Sequence, residues 1–395
     1  MRIVEVKAYP LAEGAHPGEK PWMYTPYWRS LFKARAWGQR GISMCLVEVV
    51  TDEGLRGYGE SIVREVPGAT ALIVNELLRP ILLGCDPFDV EVLWQRMYHT
   101  LRTRGHHKGF LVEALSGVDC ALWDILGKAV GKPVYKLIGG LERDRVKAYA
   151  SSIPYGKPEE VSSTALRLVE EGHDQLKLKV GMGPAGLGWR SDERNIKALR
   201  EALGYDVDLI VDANSAFTYR QALRLGRTLE RYEVLFFEEP VPPDNLEGYV
   251  RLTESLDVPI CGGESHYLKY DFRDLISRHA VDMINPDLAR IGGLTEARKI
   301  AAIAEAYEVE ITPHIGLSGV GCRAATLQLC ASLPERLFLA YEYMYKGVEN
   351  PLIKGILKEE LEKFDKGYVK VPDKPGLGLA LDMEAVQRHL INQPT

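Results

Sequence analysis

Short apolar segments alternate with amphipathic segments over most of the chain, beginning near residue 146. The amphipathic segments repeat apolar residues with the helical period, and the apolar segments between them have the length and composition of buried strands. The eight strand segments are, in order, VKAYASS, QLKLKV, DLIVDAN, VLFFEEP, VPICGGES, VDMINPD, VEITPHIG and RLFLAYEY. Strands that alternate with helices form parallel crossovers, and eight such units in about 200 residues predict a (β/α)8 barrel, an α/β fold.

The pattern is different before this region. Residues 1–10 and 43–50 alternate apolar and polar positions, which is typical of half-buried antiparallel strands. Helical periodicity follows around residues 70–83, 88–103 and 110–130. We therefore predict an N-terminal α+β domain over residues 1–130, with the barrel domain over 131–365.

Three further segments have irregular patterns. Residues 15–30 (AHPGEKPWMYTPYWRS) are rich in Pro, Gly and aromatic residues, and a long irregular loop of this kind is typical of a functional lid. A second loop is expected at 60–70. The C-terminal segment, 366–395, is strand-like and rich in Gly and Pro, and we expect it to pack back on the N-terminal domain.

Composition excludes several classes of protein. The formal net charge is −6, so there is no overall basic field to attract nucleic acid or an anionic membrane. The six cysteines are scattered, without a C-x-x-C pair, which suits a reducing compartment and argues against a structural zinc site. No signal peptide and no membrane-spanning apolar stretch is apparent. We expect a cytoplasmic protein without nucleic-acid or membrane partners.

Ionisable residues stand at the carboxyl ends of seven consecutive predicted strands, spaced 23 to 33 residues apart. The strand ends of a barrel converge on one mouth, where the active sites of this fold lie. Solvated surface charges would not recur at the same point of successive apolar strands. In chain order from the second strand, the residues are Lys179, Asp212, Glu238, Glu264, Asp287, His314 and Glu342.

The residues Asp212, Glu238 and Glu264 come from three neighbouring strands. Three converging carboxylates repel one another unless a cation lies between them. Oxygen ligands with open positions for water and substrate favour Mg²⁺, with Mn²⁺ as the alternative. Each carboxylate alone could instead cap the helix that follows it. Glu239 is expected to point to the opposite face from Glu238.

Two groups of different chemistry flank the predicted metal site. Lys177 and Lys179 lie on the same face of the second strand, and each ammonium should lower the pKa of the other. Across the mouth, Asp287 is in register to bind one nitrogen of His314, which fixes its tautomer and raises the basicity of the other nitrogen. Lys179 and His314 are therefore predicted to approach a bound substrate from opposite sides.

This set of residues suits abstraction of the proton α to a carboxylate. The proton is very weakly acidic, and its removal requires strong stabilisation of the enediolate that forms. We expect Mg²⁺ and Lys177 to supply that stabilisation. Lys179, with its pKa lowered by Lys177 and the nearby metal, is expected to act as a neutral base. Glu342 would bind a substrate carboxylate if protonated, or orient a substrate hydroxyl.

The chain resembles the enolase superfamily, mandelate racemase subgroup, and the resemblance covers nearly its whole length. The chemistry of that superfamily, a Lys or His base with Mg²⁺, is well known. The motifs that carry the resemblance are Lys-x-Lys at 177–179, VDAN at 211–214, FEEP at 237–240, Gly263-Glu264, Asp287 followed by Ile291-Gly292-Gly293, and Thr312-Pro313-His314. The segment from ALSGVD at 114–119 to Gly139-Gly140 resembles the family's junction between capping domain and barrel.

The resemblance implies a metal-dependent enzyme with an N-terminal capping domain and a homo-oligomeric state, a dimer or an octamer. It further implies that the loops at 15–30 and 60–70 close over the mouth and select the substrate. Polar partners for substrate hydroxyls would then come from Asn214, Tyr155, His266, Tyr24 and Tyr27.

The subgroup contains racemases, lactone cycloisomerases and acid-sugar dehydratases, and the same Lys-x-Lys and His–Asp set serves all three. The segments ENPL at 349–352 and VPDKPGLG at 371–378 resemble those of members that act on sugar acids. The resemblance therefore favours an acid-sugar dehydratase, a hydro-lyase that forms a 2-keto-3-deoxy acid from a small carboxylate substrate. The alternative is an isomerase, either a racemase or epimerase of a 2-hydroxy acid or a sugar-acid lactone cycloisomerase. The identity and stereochemistry of the sugar acid stay open.

Overall fold

The computed structural model describes residues 1–13, 43–62, 66–181, 188–345 and 349–391. At the N-terminus, the strands β1 (Ile3–Ala12), β2 (Ser43–Thr51) and β3 (Arg56–Ser61) form an antiparallel sheet in that order. The predicted strands at 1–10 and 43–50 correspond to β1 and β2. The predicted lid at 15–30 lies outside the described residues. The predicted loop at 60–70 is described at 60–62 and 66–70.

Helices cover this sheet. They are α1 (Pro67–Leu72), α2 (Arg79–Leu82), α3 (Val90–Arg102), α4 (Phe110–Ala129) and α5 (Tyr135–Ile138), with a π-helical segment, Ile73–Leu78, between α1 and α2. Helix α4 is buried over most of its length and packs directly on β3.

The sequence pattern did not predict β3, because glycines interrupt it. These glycines permit the close approach of α4. A Cβ atom at Gly59 would lie 2.0 Å from the carbonyl oxygen of Gly117 in α4, well inside van der Waals contact. The same residues that hide the strand in the sequence are therefore required for its packing.

Eight parallel strands form the barrel. They are β4 (Arg145–Ile153), β5 (Gln175–Lys179), β6 (Asp208–Asp212), β7 (Phe236–Glu238), β8 (Ile260–Gly262), β9 (Met283–Ile284), β10 (Glu310–Ile311) and β11 (Tyr341–Met344). Strand β11 pairs with β4, and the bridge between Ile311 and Phe338 closes the ring beside β10. The predicted α/β class, a (β/α)8 barrel with an N-terminal α+β domain, is confirmed.

Helices alternate with these strands. They are α6 (Pro158–Glu170), α7 (Gly188–Leu203), α8 (Tyr219–Arg231), α9 (Leu246–Ser255), α10 (Leu268–Ser277), α11 (Gly293–Ala306) and α12 (Val320–Ser332), and a 3₁₀ turn, Glu335–Leu337, precedes β11. Inside the barrel, an apolar cluster that includes Tyr149, Ile210 and Phe236 fills the space below the mouth. The barrel interior is thus a packed core, with the polar groups of the mouth above this apolar cluster.

The C-terminal segment continues with α13 (Pro351–Ile356), β12 (Phe364–Asp365), β13 (Tyr368–Lys370) and α14 (Met383–Arg388). Strand β13 pairs antiparallel with β4 on the barrel. Further on, Leu390 bridges to Leu11 in β1, and the backbone N–H of Leu377 donates to Asp124 in α4 at 2.7 Å. The tail therefore contacts both the barrel and the N-terminal domain. Within residues 366–391 it is a strand only at 368–370, less than the sequence pattern indicates.

Carboxylates from the N-terminal domain bind the amino ends of two barrel helices. Glu60, at the end of β3, accepts from the backbone N–H groups of Gly319 and Cys322 at 2.6 and 3.0 Å, where α12 begins. Asp119, in α4, accepts from the backbone N–H and the hydroxyl of Thr295 at 2.9 and 2.6 Å, in the first turn of α11. Unpaired N–H groups at a helix start favour negative charge, so these contacts join the two domains.

No helix in the described part of the chain is long and apolar enough to cross a membrane. All six cysteines are free thiols, and five of them are buried.

Replacing Glu60 with Gln should change the pH dependence of stability. Burial raises the pKa of Glu60 to about 7, from 4.5. Between these values the folded protein holds a proton that the unfolded chain releases, so the free energy of unfolding falls as the pH rises through this window. Glu60→Gln removes this contribution. The free energy of unfolding of the variant, minus that of the wild type, should therefore rise by up to about 3 kcal/mol between pH 5 and pH 8.

Calorimetric melting at both pH values, in the presence of EDTA, measures this effect. The exposed variant Glu201→Gln in α7 is the matched control and should show the wild-type pH dependence. A parallel loss of stability in Glu60→Gln and the wild type across the window would contradict the assignment.

Candidate active site

Three carboxylates meet at the mouth of the barrel because their strands are in register. Asp212 pairs with Glu238 across β6 and β7, and Glu264 lies two residues beyond the end of β8. One oxygen from each of Asp212, Glu238 and Glu264 lies within 4.8 Å of the others, and all three side chains are buried. The structure thus brings together the residues predicted as metal ligands.

The electrostatics of this cluster fit a divalent cation. Burial, together with the charge of Asp212, raises the pKa of Glu238 well above its usual range. Burial also raises the pKa of Glu264, whose Oε2 atom has no hydrogen bond among the described residues and lies 3.4 Å from Nε2 of His314. Buried carboxylates that repel one another and have an oxygen without a hydrogen bond can be stabilised by a hard cation with oxygen ligands. The donors present are therefore those that Mg²⁺ prefers, and ligation itself stays a prediction.

The two lysines of β5 lie on the same side of this cluster, and they have different surroundings. Lys177 is fully buried, and its Nζ lies 2.9 Å from Glu238, 2.7 Å from Glu342 and 5.2 Å from the centre of the Tyr149 ring. Lys179 is partly exposed, and its Nζ contacts Asp212 and donates to Oδ1 of Asn214 at 2.7 Å. Lys177 is thus locked in the barrel, whereas Lys179 reaches the opening.

The predicted lowering of the Lys179 pKa by Lys177 and a metal ion does not arise from the protein groups alone. Burial and the neighbouring Lys177 do lower the pKa, but the attraction of Asp212, Glu264 and Glu238 outweighs them and the pKa is raised. The sequence-based argument counted Lys177 together with a metal ion that neutralises these carboxylates. The pKa of Lys177 is raised as well, since Glu238 and Glu342 oppose the effect of burial.

His314 and Asp287 form the predicted pair. Nδ1 of His314 lies 2.7 Å from Oδ2 of Asp287, and the other oxygen of Asp287 accepts from the backbone N–H of Ala289 at 2.9 Å. Nε2 of His314 faces the mouth, 3.4 Å from Glu264. Burial alone would lower the pKa of His314, but Glu264, Glu342 and Asp287 together raise it.

Of the two roles predicted for Glu342, binding a substrate carboxylate when protonated and orienting a substrate hydroxyl, the structure argues against the first. One oxygen accepts from Ser151 at 2.7 Å and pairs with Lys177, and the other accepts from the backbone N–H groups of Ile315 and Gly316 at 2.7 and 2.8 Å. Although burial opposes ionisation, Lys177 and His314 hold the pKa of Glu342 well below its usual range. Glu342 is thus an anion that fixes the segment following His314.

The residues predicted to bind substrate hydroxyls have different positions. Asn214 lies beside Lys179, and its backbone N–H donates to Asp212 at 2.8 Å. The hydroxyl of Tyr155 is hydrogen-bonded to Ser191 in α7. His266 is buried, and burial lowers its pKa to about 4, so its ring is neutral. Tyr24 and Tyr27 lie outside the described residues, and substrate binding by all five stays a prediction.

Asn285 is a site residue that the sequence analysis missed. Its Nδ2 donates to Oε1 of Glu238 at 3.0 Å, and its Oδ1 accepts from the backbone N–H of Glu264 at 3.0 Å. One amide therefore orients two of the predicted metal ligands. A signal was available, because Asn285 stands two residues before Asp287 at the end of the sixth barrel strand, where side chains alternate between faces.

Glu239 follows Glu238 directly, and its predicted direction toward the opposite face stays a prediction. It is buried, and burial together with the charge of Asp212 raises its pKa to about 7. Its Oε1 atom has no hydrogen-bond partner among the described residues.

Two family models match the chain. The model described as "Mandelate racemase / muconate lactonizing enzyme, N-terminal domain" matches residues 34–139, and the model described as "Enolase C-terminal domain-like" matches residues 160–386. The second match contains all seven of the ionisable strand-end residues.

Proteins of known activity resemble the chain over most of its length. Arabinonate dehydratase from Saccharolobus solfataricus is 34% identical over 356 residues, 89% of this chain and 92% of that protein. D-galactarolactone cycloisomerase from Agrobacterium fabrum is 36% identical over 357 residues, 88% and 92% of the two chains. The crystal structure of the 3,6-anhydro-D-galactonate cycloisomerase from Zobellia galactanivorans superposes with a TM-score of 0.84 at 31% identity, covering 99% of this chain and 100% of that one.

Replacement of Asp212 by Asn should weaken Mg²⁺ binding. The variant keeps the size of the side chain and removes one charge from the cluster. Since loss of an outer partner alone costs about 10- to 100-fold in affinity, loss of a ligand charge should cost at least about 100-fold. Isothermal titration of Mg²⁺ into the metal-free protein measures the dissociation constant.

The control is Asp208→Asn, at the opposite end of the same strand, where the carboxylate accepts from Gln175 at 2.9 Å. Its Mg²⁺ affinity should equal that of the wild type. Equal affinities for the Asp212 and Asp208 variants would exclude Asp212 as a ligand.

Proposed function

Because this chain belongs to the mandelate racemase/muconate lactonizing enzyme family of the enolase superfamily, we propose that it is a metal-dependent acid-sugar dehydratase. The reaction removes the proton on C2 of a sugar acid and the hydroxyl on C3, and it yields a 2-keto-3-deoxy acid. One observation carries the proposal. Two proton-transfer groups, Lys179 and His314, flank the three-carboxylate cluster. Lys179 contacts Asp212, and Nε2 of His314 faces Glu264.

The proposed metal ligands are Asp212, Glu238 and Glu264, and the proposed ion is Mg²⁺, with Mn²⁺ as the alternative. When bound, the ion supplies positive charge that stabilises the negative charge developing on the substrate carboxylate. It would also compete with Lys179 for Asp212, the carboxylate that raises the pKa of this lysine in the structure.

The protein's own groups account for the proton transfers. One of Lys179 and His314 removes the C2 proton, and the electron pair left on C2 delocalises into the carboxylate to give the enediolate. The other group donates its proton to the C3 hydroxyl, which departs as water as the C2–C3 double bond forms. The resulting enol then tautomerises to the 2-keto acid.

Asp287, Lys177 and Glu342 set the charge around this reaction. Asp287 binds Nδ1 of His314, so Nε2 is the nitrogen that exchanges the proton. Lys177 keeps a fixed positive charge between Glu238 and Glu342. Because Glu342 also binds the backbone at Ile315, it holds the chain beside His314 while the proton moves.

A sugar-acid lactone cycloisomerase is the second candidate. It is favoured by the 36% identity to D-galactarolactone cycloisomerase, although dehydratases of arabinonate, D-xylonate and D-galactonate resemble the chain to a similar degree. Ring opening by elimination uses the same first step, in which a base removes the proton α to the carboxylate. The difference is the leaving group, which is a ring oxygen in one case and the C3 hydroxyl in the other.

Substrate contacts and assembly are further parts of the proposal. The residues proposed to bind substrate hydroxyls are Asn214, which contacts Lys179, together with His266, Tyr155, Tyr24 and Tyr27. The small carboxylate substrate requires no macromolecular partner. A homo-oligomer is proposed from the family resemblance alone.

A library of acid sugars incubated with the enzyme and Mg²⁺ tests the proposal. We expect at least one member to give a 2-keto acid, detected with semicarbazide. For that substrate, both Lys179→Ala and His314→Asn should lower kcat by about 10²- to 10⁴-fold, the usual contribution of general acid–base catalysis. Proton NMR in D₂O should show which of the two variants still exchanges the C2 proton.

The control is Lys147→Ala, a lysine of β4 that pairs with Asp174 away from the cluster. It should keep wild-type turnover. Sugar-acid lactones are assayed in parallel, and lactone isomerisation without any 2-keto acid would reject the dehydratase in favour of the cycloisomerase.

A further inference from the structure

Arg290 lies outside the proposed proton-transfer set, although it reaches one of the proposed metal ligands. It belongs to the loop between β9 and α11, three residues after Asp287. Its Nη1 donates to the backbone carbonyl of Glu264 at 2.6 Å. Its Nε donates to Oε1 of Glu113 in α4 at 3.1 Å. One guanidinium thus joins the N-terminal domain to the backbone of a metal ligand.

The backbone at Glu264 depends on side chains for its hydrogen bonds. Gly263 has φ +149°, and a Cβ there would lie 2.9 Å from Phe272, so the chain leaves the regular strand at this point. The N–H of Glu264 then donates to Asn285, and its carbonyl accepts from Arg290. Because residues outside β8 bind both backbone groups of Glu264, they fix the position of the backbone from which its carboxylate extends.

Arg290 itself depends on the N-terminal domain. A guanidinium keeps its charge under all ordinary conditions, and a charge at a domain boundary is destabilising unless it is paired. Glu113 supplies the pairing carboxylate, is only 3% exposed, and accepts a second hydrogen bond from Tyr267 at 2.9 Å. Tyr267 follows Glu264 by three residues, so Glu113 binds this loop directly as well as through Arg290.

We propose that Arg290 is a positioning residue for the metal ligand Glu264, and that Glu113 of the N-terminal domain holds Arg290 in place. The affinity of the barrel site for metal would then depend on the contact between Glu113 of the N-terminal domain and Arg290 of the barrel. This inference rests on the proposed function only through the assignment of Glu264 as a ligand. It does not depend on which reaction is catalysed.

A salt bridge that only stabilises the domain boundary makes a different prediction. It would change the melting temperature and leave the affinity for metal unaltered. The test is therefore isothermal titration of Mg²⁺ alone into the metal-free, full-length protein, with the melting temperature measured beside it. No substrate is required.

Arg290→Met removes the charge and both hydrogen bonds and should raise the dissociation constant for Mg²⁺ by about 10- to 100-fold, the effect typical of partners that orient a ligand. Glu113→Gln should raise it by a smaller factor. The double variant should bind no more weakly than Arg290→Met, because both substitutions act on the same contact.

The matched control is Asp119→Asn. Asp119 is another buried carboxylate of α4 that binds the barrel, but its partner is Thr295 and it does not contact the Glu264 loop. This variant should lower the melting temperature and leave the dissociation constant within twofold of the wild type.

Should Arg290→Met fail to fold, Arg290→Lys replaces it, because lysine keeps the charge opposite Glu113 and cannot span both partners. Its dissociation constant should also rise. A folded Arg290→Met or Arg290→Lys protein with an affinity within twofold of the wild type would overturn the inference, provided that Asp212→Asn weakens binding. If Asp212→Asn also binds normally, the metal site itself is refuted, and this inference with it.

Discussion

The repulsion among three buried carboxylates is the constraint around which this barrel is arranged. Asp212, Glu238 and Glu264 each come from a separate strand, and the register of the sheet forces their oxygens together. Such a cluster is stable only with compensating positive charge. The structure provides it from three groups. Within the cluster, Lys177 lies nearest Glu238, Lys179 nearest Asp212 and His314 nearest Glu264. A cation in the middle of the cluster would release Lys179 and His314 from this role, and these are the two groups that the proposed reaction needs to exchange protons.

The positive groups are not equivalent, and their difference follows from burial. Lys177 is enclosed between Glu238, Glu342 and the Tyr149 ring, and it can act only as a fixed charge. Lys179, two residues later on the same face, reaches the opening and can approach a substrate. Glu342 completes the arrangement by binding Lys177 on one side and the backbone after His314 on the other. The fixed charges thus connect the two sides of the mouth without taking part in proton transfer.

The sequence predicted the barrel and the strand-end residues because both follow a regular period. One ionisable residue ended each strand from the second to the eighth, and the fold alone determines that such ends converge. Contacts between distant segments have no period, and Asn285, Arg290 and Glu60 were therefore missed or left without a role. The Lys179 pKa was predicted from Lys177 and a bound metal ion, and the structure adds the attraction of the neighbouring carboxylates. For Glu342 the sequence left the ionisation state open, because Lys177 and the backbone at Ile315, which stabilise its charge, are distant in the chain.

The carboxylates that the N-terminal domain places on the barrel have a consequence for how such enzymes diversify. Glu60 and Asp119 bind the starts of α12 and α11, the helices that follow His314 and Asp287. If a new N-terminal domain without matching carboxylates replaced this one, the backbone N–H groups at the starts of these two helices would be buried without hydrogen-bond partners. New substrate loops can therefore be introduced most safely between the strands of the existing domain, while its docking face is kept. Recombination between relatives would be expected to succeed when the crossover preserves both partners of each contact.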